Sequence, residues 1–197
     1  IEGLEELTKE LQEFPKAIKR ATRSAIDTSA TALKSVAVDE ASNVFRITPK
    51  RLRTTEETGE PTVNVSRTTQ TRAYALLRFN RNKFSLGIFA TNVLPMKKVK
   101  RTKGWKPLYR YTRAGGKLMS ISRGFIGEGK LTPPFGSVWR RAREGKDSRI
   151  RQCYGLSMNE MMHDTTVIAA VTDKGQAILR EKMIKAVEKQ LEKVKRK

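Results

Sequence analysis

The stretch "KAIKRATRSAIDTSATALKSVA", residues 16–37, is rich in alanine, serine and threonine and contains neither glycine nor proline. Its apolar residues recur at the spacing of one helical face, at Ile18, Ala21, Ala25, Leu33 and Val36. Alanine has the highest intrinsic helix propensity of the common residues. The stretch therefore predicts a long amphipathic α-helix near the N-terminus.

The same apolar stripe extends towards the N-terminus through Leu4, Leu7, Leu11 and Phe14. Pro15 interrupts it, because proline lacks an N–H and clashes with the preceding turn. We therefore expect a short helix to about Glu13 and a longer one from Pro15, ended by Thr48-Pro49. The predicted helical N-terminal part covers residues 1–47.

A second apolar stripe of helical period lies near the C-terminus, at Ile178, Ile184, Val187, Leu191 and Val194. Asp173 is a candidate N-cap for it, because a carboxylate can accept hydrogen bonds from the free N–H groups of a first turn. The closing "KVKRK" places positive charge at the negative end of a helix dipole. We expect C-terminal helices over residues 157–197.

Short apolar segments separated by polar or glycine-containing turns fill the middle of the chain. Three pairs are typical of β-hairpins: "YALLRFN" with "FSLGIFATNV", "WKPLYRYTR" with "KLMSISRGFIG", and "SVWRRA" with "RIRQCYG". We predict an antiparallel sheet of about four to six strands over residues 72–156, including a basic hairpin at 95–120. The Thr-rich residues 51–72 are expected to form a mobile loop. The predicted fold class is α+β, in a single domain spanning 1–197.

Charge is distributed very unevenly along the 197 residues, whose formal net charge is +21. Residues 46–153 hold 26 basic and 6 acidic side chains, whereas residues 1–45 hold 6 and 8. No carboxylate occurs between Glu60 and Glu128. A solvated protein face normally mixes both signs, so this segment favours contact with a polyanion.

The residues "NVLPMKKVKRTKGWKPLYRYTRAGGKL", 92–118, carry the densest positive charge. We predict that nine side chains there contact nucleic-acid phosphates: Lys97, Lys98, Lys100, Arg101, Lys103, Lys106, Arg110, Arg113 and Lys117. Four aromatic residues are interleaved with this region or follow it: Trp105, Tyr109, Tyr111 and Phe125. They could stack on bases, but rings on one face of a hairpin more often pack on a core.

The residue types that catalysis requires are scarce, and we expect no enzyme, no cofactor and no metal site. His163 is the single histidine and Cys153 the single cysteine, so a tetrahedral zinc site cannot be built from the usual ligands. Residues 124–132, "GFIGEGKLT", resemble a phosphate-binding loop, but Leu131 stands where Ser or Thr should follow the lysine. The two "EGK" fragments at 128–130 and 144–146 lack a further carboxylate nearby to hold a metal.

Other features bear on the compartment. Cys153 has no partner cysteine, which indicates a reducing environment. No run approaches 18 apolar residues, and "IEGLEELTKEL" lacks the basic start and apolar core of a signal peptide. We therefore expect an intracellular, soluble product with no membrane partner.

The order of these parts resembles the minor tail protein Z family, the tail-completion proteins of long-tailed phages and prophages. The resemblance covers essentially the whole chain, through the charged opening, the long helix closed by "ITPKRLR", the segment "FNRNKFSLGIFATNVLPMKKV" and the basic hairpin. Its most specific part is residues 133–162, "PPFGSVWRRAREGKDSRIRQCYGLSMNEMM". Within it, Gly155-Leu156-Ser157 replaces a Gly-Pro-Ser triplet that is common in the family.

The resemblance implies a structural virion protein at the head-proximal end of the tail, assembled in the host cytoplasm. Its partners would be the tail terminator, the tail tube, the head connector and the backbone of the packaged duplex DNA. A homo-hexameric ring matching the tail tube would be expected. Two alternatives stay open: an adaptor of the neck that contacts only proteins, and a basic RNA-associated protein.

Overall fold

The computed structural model describes residues 2–55, 58–69, 71–90, 108–113, 116–121, 124–126, 138–141 and 149–195. Side chains are described from residue 16 onward, except those of Ile126, Arg141, Leu191, Val194 and Lys195. The helices are α1 (Glu2–Val44), α2 (Pro49–Leu52), α3 (Met158–Met161) and α4 (Thr165–Lys195), with a 3₁₀ turn at Leu86–Phe89. The strands are β1 (Val63–Ser66), β2 (Leu76–Phe79), β3 (Lys83–Ser85), β4 (Leu108–Tyr109), β5 (Met119–Ser120), β6 (Gly124–Ile126), β7 (Val138–Arg141), β8 (Ile150–Gln152) and β9 (Tyr154–Ser157). The prediction of an α+β fold with a long N-terminal helix and C-terminal helices is confirmed.

The strands form several small sheets instead of one. In the described part of the chain, β1 pairs with β2, β3 with β9, β4 with β5, and β6, β7 and β8 form a three-stranded sheet. The pairings β3–β9, β4–β5, β6–β7 and β7–β8 are antiparallel. The predicted antiparallel character is therefore right, and the division into separate sheets was not foreseen.

Helix α1 runs without a break through Pro15, so the predicted pair of helices is wrong. Proline removes one intrahelical hydrogen bond, and in a helix of 43 residues the remaining bonds and the continuous apolar stripe preserve the axis. The described buried face of α1 is made largely of small residues, including Ala21, Ala25, Ala37 and Ala41. Such a face lets neighbouring segments approach the helix closely.

Helix α1 ends at Val44, five residues before Pro49, and not at Thr48-Pro49 as predicted. The Ser42 hydroxyl donates to the Ile47 carbonyl oxygen at 2.9 Å, which stabilises the turn that leaves the helix. Pro49 instead begins the short helix α2, where its missing N–H costs nothing because a first turn leaves N–H groups free.

Two compact units can be distinguished, and each is described by itself. Unit 1 consists of Ile1–Ala37, Val63–Arg78 and Ile168–Lys197, and unit 2 of Val38–Thr62 and Phe79–Val167. The single-domain assignment of 1–197 stays a prediction.

Unit 1 holds most of α1, the β1–β2 pair and nearly all of α4. The segment after β1 is bonded to α1 because the Asp27 carboxylate accepts from the Thr68 N–H at 2.7 Å and from its hydroxyl at 3.0 Å. Helices α1 and α4 approach closely at Gly175, where a Cβ would lie 3.1 Å from Leu33 Cδ1. The residues 51–72, predicted to be a loop, in fact contain β1, whose Val63 is fully buried.

Unit 2 holds the remaining sheets around a core of large apolar side chains. Fully buried members include Phe84, Phe89, Leu52, Val138 and Met158. The predicted hairpins β4–β5 and β7–β8 are confirmed, with Leu108 opposite Ser120 and Arg140 opposite Arg151.

The first predicted hairpin is wrong, because β2 pairs with β1 and β3 pairs with β9. The connection at Asn80 explains why. Its N–H donates to the Thr62 carbonyl and its carbonyl accepts from the Asn159 N–H, so Asn80 is bonded to two other segments and not within a hairpin turn. Alternating polarity indicates which face of a strand is buried but not which strand is its partner.

The last helix begins at Thr165, eight residues before the predicted cap Asp173. Asp164 accepts from the N–H groups of Thr166 and Val167 at 2.9 and 3.3 Å and so caps the helix. No helix among the described residues is both long enough and apolar enough to span a membrane.

Candidate nucleic-acid interface

Some of the predicted phosphate-binding residues lie within the described part of the chain, and the others lie outside it. Lys97, Lys98, Lys100, Arg101, Lys103 and Lys106 lie outside the described residues. Arg110, Arg113 and Lys117 lie inside them, on the hairpin formed by β4 and β5. Only these three can be placed.

Arg113 is bonded to the end of α1, within unit 2. Its Nε donates to the Ser42 carbonyl oxygen at 2.7 Å, and its backbone N–H donates to the Val44 carbonyl at 2.8 Å. A terminal guanidinium nitrogen reaches the Ile47 carbonyl at 3.4 Å. The Ser42 and Val44 carbonyls lie in the last turn of α1, where carbonyls lack intrahelical partners, and a cation there is favourable to the helix dipole. Arg113 therefore has a structural role at this junction.

Arg110 and Lys117 are placed differently. The Arg110 backbone N–H donates to the Phe89 carbonyl at 3.0 Å, while its Nε is buried and has no hydrogen-bond partner among the described residues. A buried guanidinium N–H without a partner is unusual. Lys117 is exposed to solvent.

The aromatic residues of the hairpin pack on the core of unit 2. Tyr111 contacts Phe89 edge to face, with ring centroids 5.1 Å apart, and Tyr109 contacts Tyr111 at 5.3 Å. Burial, together with the neighbouring Tyr109, raises the pKa of Tyr111 to about 12. These contacts favour the packing interpretation for both tyrosines over base stacking, whereas Trp105 lies outside the described residues.

Positive charge on the described part of the carboxylate-free segment is scarcely neutralised. Eight basic residues between positions 67 and 117 are described: Arg67, Arg72, Arg78, Arg81, Lys83, Arg110, Arg113 and Lys117. Among the described side chains, only Lys83 of these eight has an acidic partner, the Glu160 carboxylate at 3.2 Å. The remaining seven are available to an external anion or, like Arg113, are bound to backbone oxygens.

A second basic surface, which the sequence analysis missed, lies on α1 in unit 1. Lys16, Lys19, Arg20 and Arg23 occupy positions i, i+3, i+4 and i+7, and so share one helical face around an open concavity of about 370 Å³. Like charges at this spacing destabilise an isolated helix. The net charge of residues 1–45 does not reveal this cluster, because acidic residues at positions 2–13 offset it. The charge on each helical face would have revealed it.

The side chains considered for catalysis are not assembled into a site in the described structure. His163 is exposed in the turn before α4, and Asp164 beside it is the helix cap. Burial raises the pKa of the Cys153 thiol, with Arg140 acting in the opposite direction. Among the described residues, no three His, Cys, Asp or Glu side chains are grouped to hold a metal. Both "EGK" fragments lie outside the described residues.

Comparisons with protein-family models, with curated proteins and with solved structures found no match to this chain. The function is therefore argued from charge, from geometry and from the resemblance of the sequence.

Proposed function

We propose that this chain is a structural virion protein that completes the head-proximal end of a phage tail. It would form a ring at the head–tail joint and hold the end of the packaged duplex DNA by its phosphates. The tail role rests on the resemblance of the sequence, above all at residues 133–162. The DNA-holding role rests on the charge of the described surface.

One observation carries the DNA-holding role. Seven of the eight described basic residues between positions 67 and 117 have no acidic partner among the described side chains. Copies of a chain with net charge +21 repel one another when brought into a ring. Duplex DNA carries one negative charge per about 1.7 Å of its axis and can offset that repulsion.

In this mechanism the contacts are to the DNA backbone, so affinity does not depend on sequence. Lysine ammonium groups and forked guanidinium groups bind phosphate oxygens without reading base edges. Arg110 and Lys117 would contact phosphate directly, together with the lysines and Arg101 of residues 97–106. Arg113 would act by holding the hairpin on the end of α1.

Fluorescence anisotropy with a labelled duplex of arbitrary sequence tests this role. If about 6 to 10 phosphates are contacted, affinity should fall about 10³- to 10⁵-fold between 50 and 200 mM salt. Replacing Lys97, Lys98, Lys100 and Arg101 by Gln should make the negative slope of log affinity against log salt shallower by about four.

The matched control replaces four lysines of α4, Lys182, Lys185, Lys189 and Lys193, by Gln and removes the same charge. It should keep most of the affinity and the slope. Equal losses in both variants would show a general effect of net charge and would contradict a hairpin interface. Affinity without salt dependence would contradict phosphate binding altogether.

The tail role is tested in cells that produce the phage encoding this chain. Electron microscopy of particles made without the protein should show filled heads and tails that fail to join stably. The hairpin variant should reproduce this defect. If it abolishes joining while its DNA affinity is unchanged, the basic surface docks on neck proteins and the adaptor alternative is correct. Copurification with RNA that survives nuclease treatment would instead support an RNA-associated protein.

A further inference from the structure

An open apolar groove of about 540 Å³ lies within unit 1. Helix α1 forms one wall with Ala30 and Leu33, α4 forms another with Val171 and Leu179, and the segment 73–77 before and within β2 closes a third side. None of its lining residues is charged. Tyr74 and Leu179, at its edges, are 57% and 40% exposed. A concave apolar surface with exposed apolar edges is typical of a binding site.

Ser29 gives a second indication that the groove is incomplete. The residue lines the groove, is only 7% exposed, and its hydroxyl has no hydrogen-bond partner among the described residues. A buried hydroxyl left without a partner is costly, so an occupant that offers a polar atom beside apolar side chains would fit.

We propose that the groove binds the N-terminal part of α1, residues 2–14, from a second copy of this chain. The backbone of these residues is helical. In the sequence, Leu4, Leu7, Leu11 and Phe14 recur at the spacing of one helical face. An amphipathic helix that lays such a face into an apolar groove is a common mode of recognition.

The segment cannot fill the groove of its own chain. Ile26 and Leu33 of the groove wall belong to the same continuous helix as residues 2–14. At 1.5 Å per residue, Phe14 lies about 18 Å along the helix axis from Ile26, and Leu4 about 44 Å from Leu33. Binding within one chain would require α1 to break and fold back, so the occupant comes from another copy.

Charge complementarity selects this segment. Residues 1–15 hold five glutamates and one lysine and are the most acidic stretch of the chain. The other residues of unit 1 hold 17 basic and 5 acidic side chains. Arg72 directly precedes the lining residue Ala73, and Arg180 directly follows Leu179. Among the carboxylates near the lining, that of Asp27 is already held by Thr68 and that of Glu181 by Lys185, and Asp173 follows Thr172. Copies that repel elsewhere therefore attract at this contact.

The donating segment and the accepting groove are different surfaces of the chain. Such a contact can pass from copy to copy in a closed ring or an open chain, or be exchanged reciprocally between two copies in a two-fold dimer. This inference rests on the groove and does not require the tail role to be correct.

Light scattering and sedimentation of the full chain at 150 mM salt test the proposal with two variants. The donor variant carries Leu7→Ser and Leu11→Ser. The groove variant carries Tyr74→Glu and Leu179→Glu, whose exposed sites tolerate charge without loss of the core. The wild type should associate, and each variant should weaken association at least about 100-fold, since two apolar contacts are lost. The control Ile184→Glu, 51% exposed and outside the groove lining, should assemble like the wild type.

Mixing the two variants gives the decisive result. Each retains one intact half of the contact, so the mixture should form a 1:1 dimer and nothing larger. A mixture that stays monomeric, or variants that assemble like the wild type, would overturn the proposal, as would a wild type that is monomeric at every concentration.

In a Cys153→Ser background, mixed chains bearing Leu7→Cys or Leu179→Cys should cross-link to each other. Circular dichroism confirms that each variant is folded, and a failure to cross-link among folded chains would also refute the contact.

Discussion

Arg113 binds the end of the first helix through Ser42: its Nε donates to the Ser42 carbonyl oxygen at 2.7 Å. The residues are 71 positions apart in the sequence. Arg113 thus stabilises a helix terminus within unit 2. Its positive charge also contributes to the basic hairpin. Contributions to stability and to DNA binding can therefore be separated by mutation.

We expect Arg113→Ala to lower the free energy of unfolding by about 1–3 kcal/mol, because carbonyl oxygens at the helix end lose their donor. Urea denaturation measures this loss. Lys117→Ala, at an exposed site of the same hairpin, should change stability by less than about 0.5 kcal/mol. Equal stability of the two variants would show that the guanidinium contacts contribute nothing.

Gly155 in β9 is predicted to tolerate no side chain. A Cβ there would lie 2.5 and 2.7 Å from two ring carbons of Phe89, which is fully buried. Gly155→Ala should therefore destabilise the protein by about 1–3 kcal/mol through overpacking.

Gly175→Ala is the matched control for this change. Its Cβ would meet only the flexible end of Leu33 at 3.1 Å, and alanine favours the helix by about 1 kcal/mol. Gly175→Ala should be neutral or slightly stabilising, so a similar cost at both sites in urea denaturation would contradict the role assigned to Phe89.

Glu160 should make stability depend on pH in the acid range. Partial burial acts to raise the pKa of its carboxyl, but hydrogen bonds from the Ser157 N–H and hydroxyl, with the ion pair to Lys83, outweigh burial and lower it. A lowered folded-state pKa contributes stability above the ordinary glutamate pKa of about 4.3, and this stability is lost as pH falls through the folded-state value.

Thermal unfolding between pH 3 and 7 checks this expectation. Glu160→Gln keeps an oxygen that can accept from the Ser157 N–H but loses the charge paired with Lys83, so it should lower stability by less than about 1 kcal/mol at neutral pH. The difference from wild type should shrink below about pH 4. Glu188→Gln, at an exposed site of α4, is the control and should leave the profile unchanged. A difference that grows on acidification would refute the assignment.

Asp27 should protect the backbone of Thr68. Asp27→Ala leaves the Thr68 N–H and hydroxyl without their acceptor and should cost about 1–3 kcal/mol. Hydrogen exchange at the Thr68 amide should accelerate. Asp27→Asn keeps one oxygen acceptor and should lie between wild type and Asp27→Ala, while Asp173→Ala should have no effect on this amide.

Local sequence patterns determined much of the architecture. The alanine-rich stripe of residues 16–37 predicted the long helix, and the glycine-containing turn of residues 114–116 predicted the β4–β5 hairpin. Both depend on interactions between residues close in sequence, which period and turn chemistry describe well. The uneven distribution of charge, with no carboxylate between Glu60 and Glu128, is likewise evident from the sequence alone.

Tertiary structure alone decided which segments are partners. Neither the pairing of β3 with β9 nor the docking of Arg113 on Ser42 leaves a local signal, because each joins residues about 70 positions apart. The groove of unit 1 likewise requires α1, β2 and α4 to be in place before its apolar residues become one surface. Periodicity fixes the face that a segment buries, whereas its partner is chosen by the free energy of packing the whole chain.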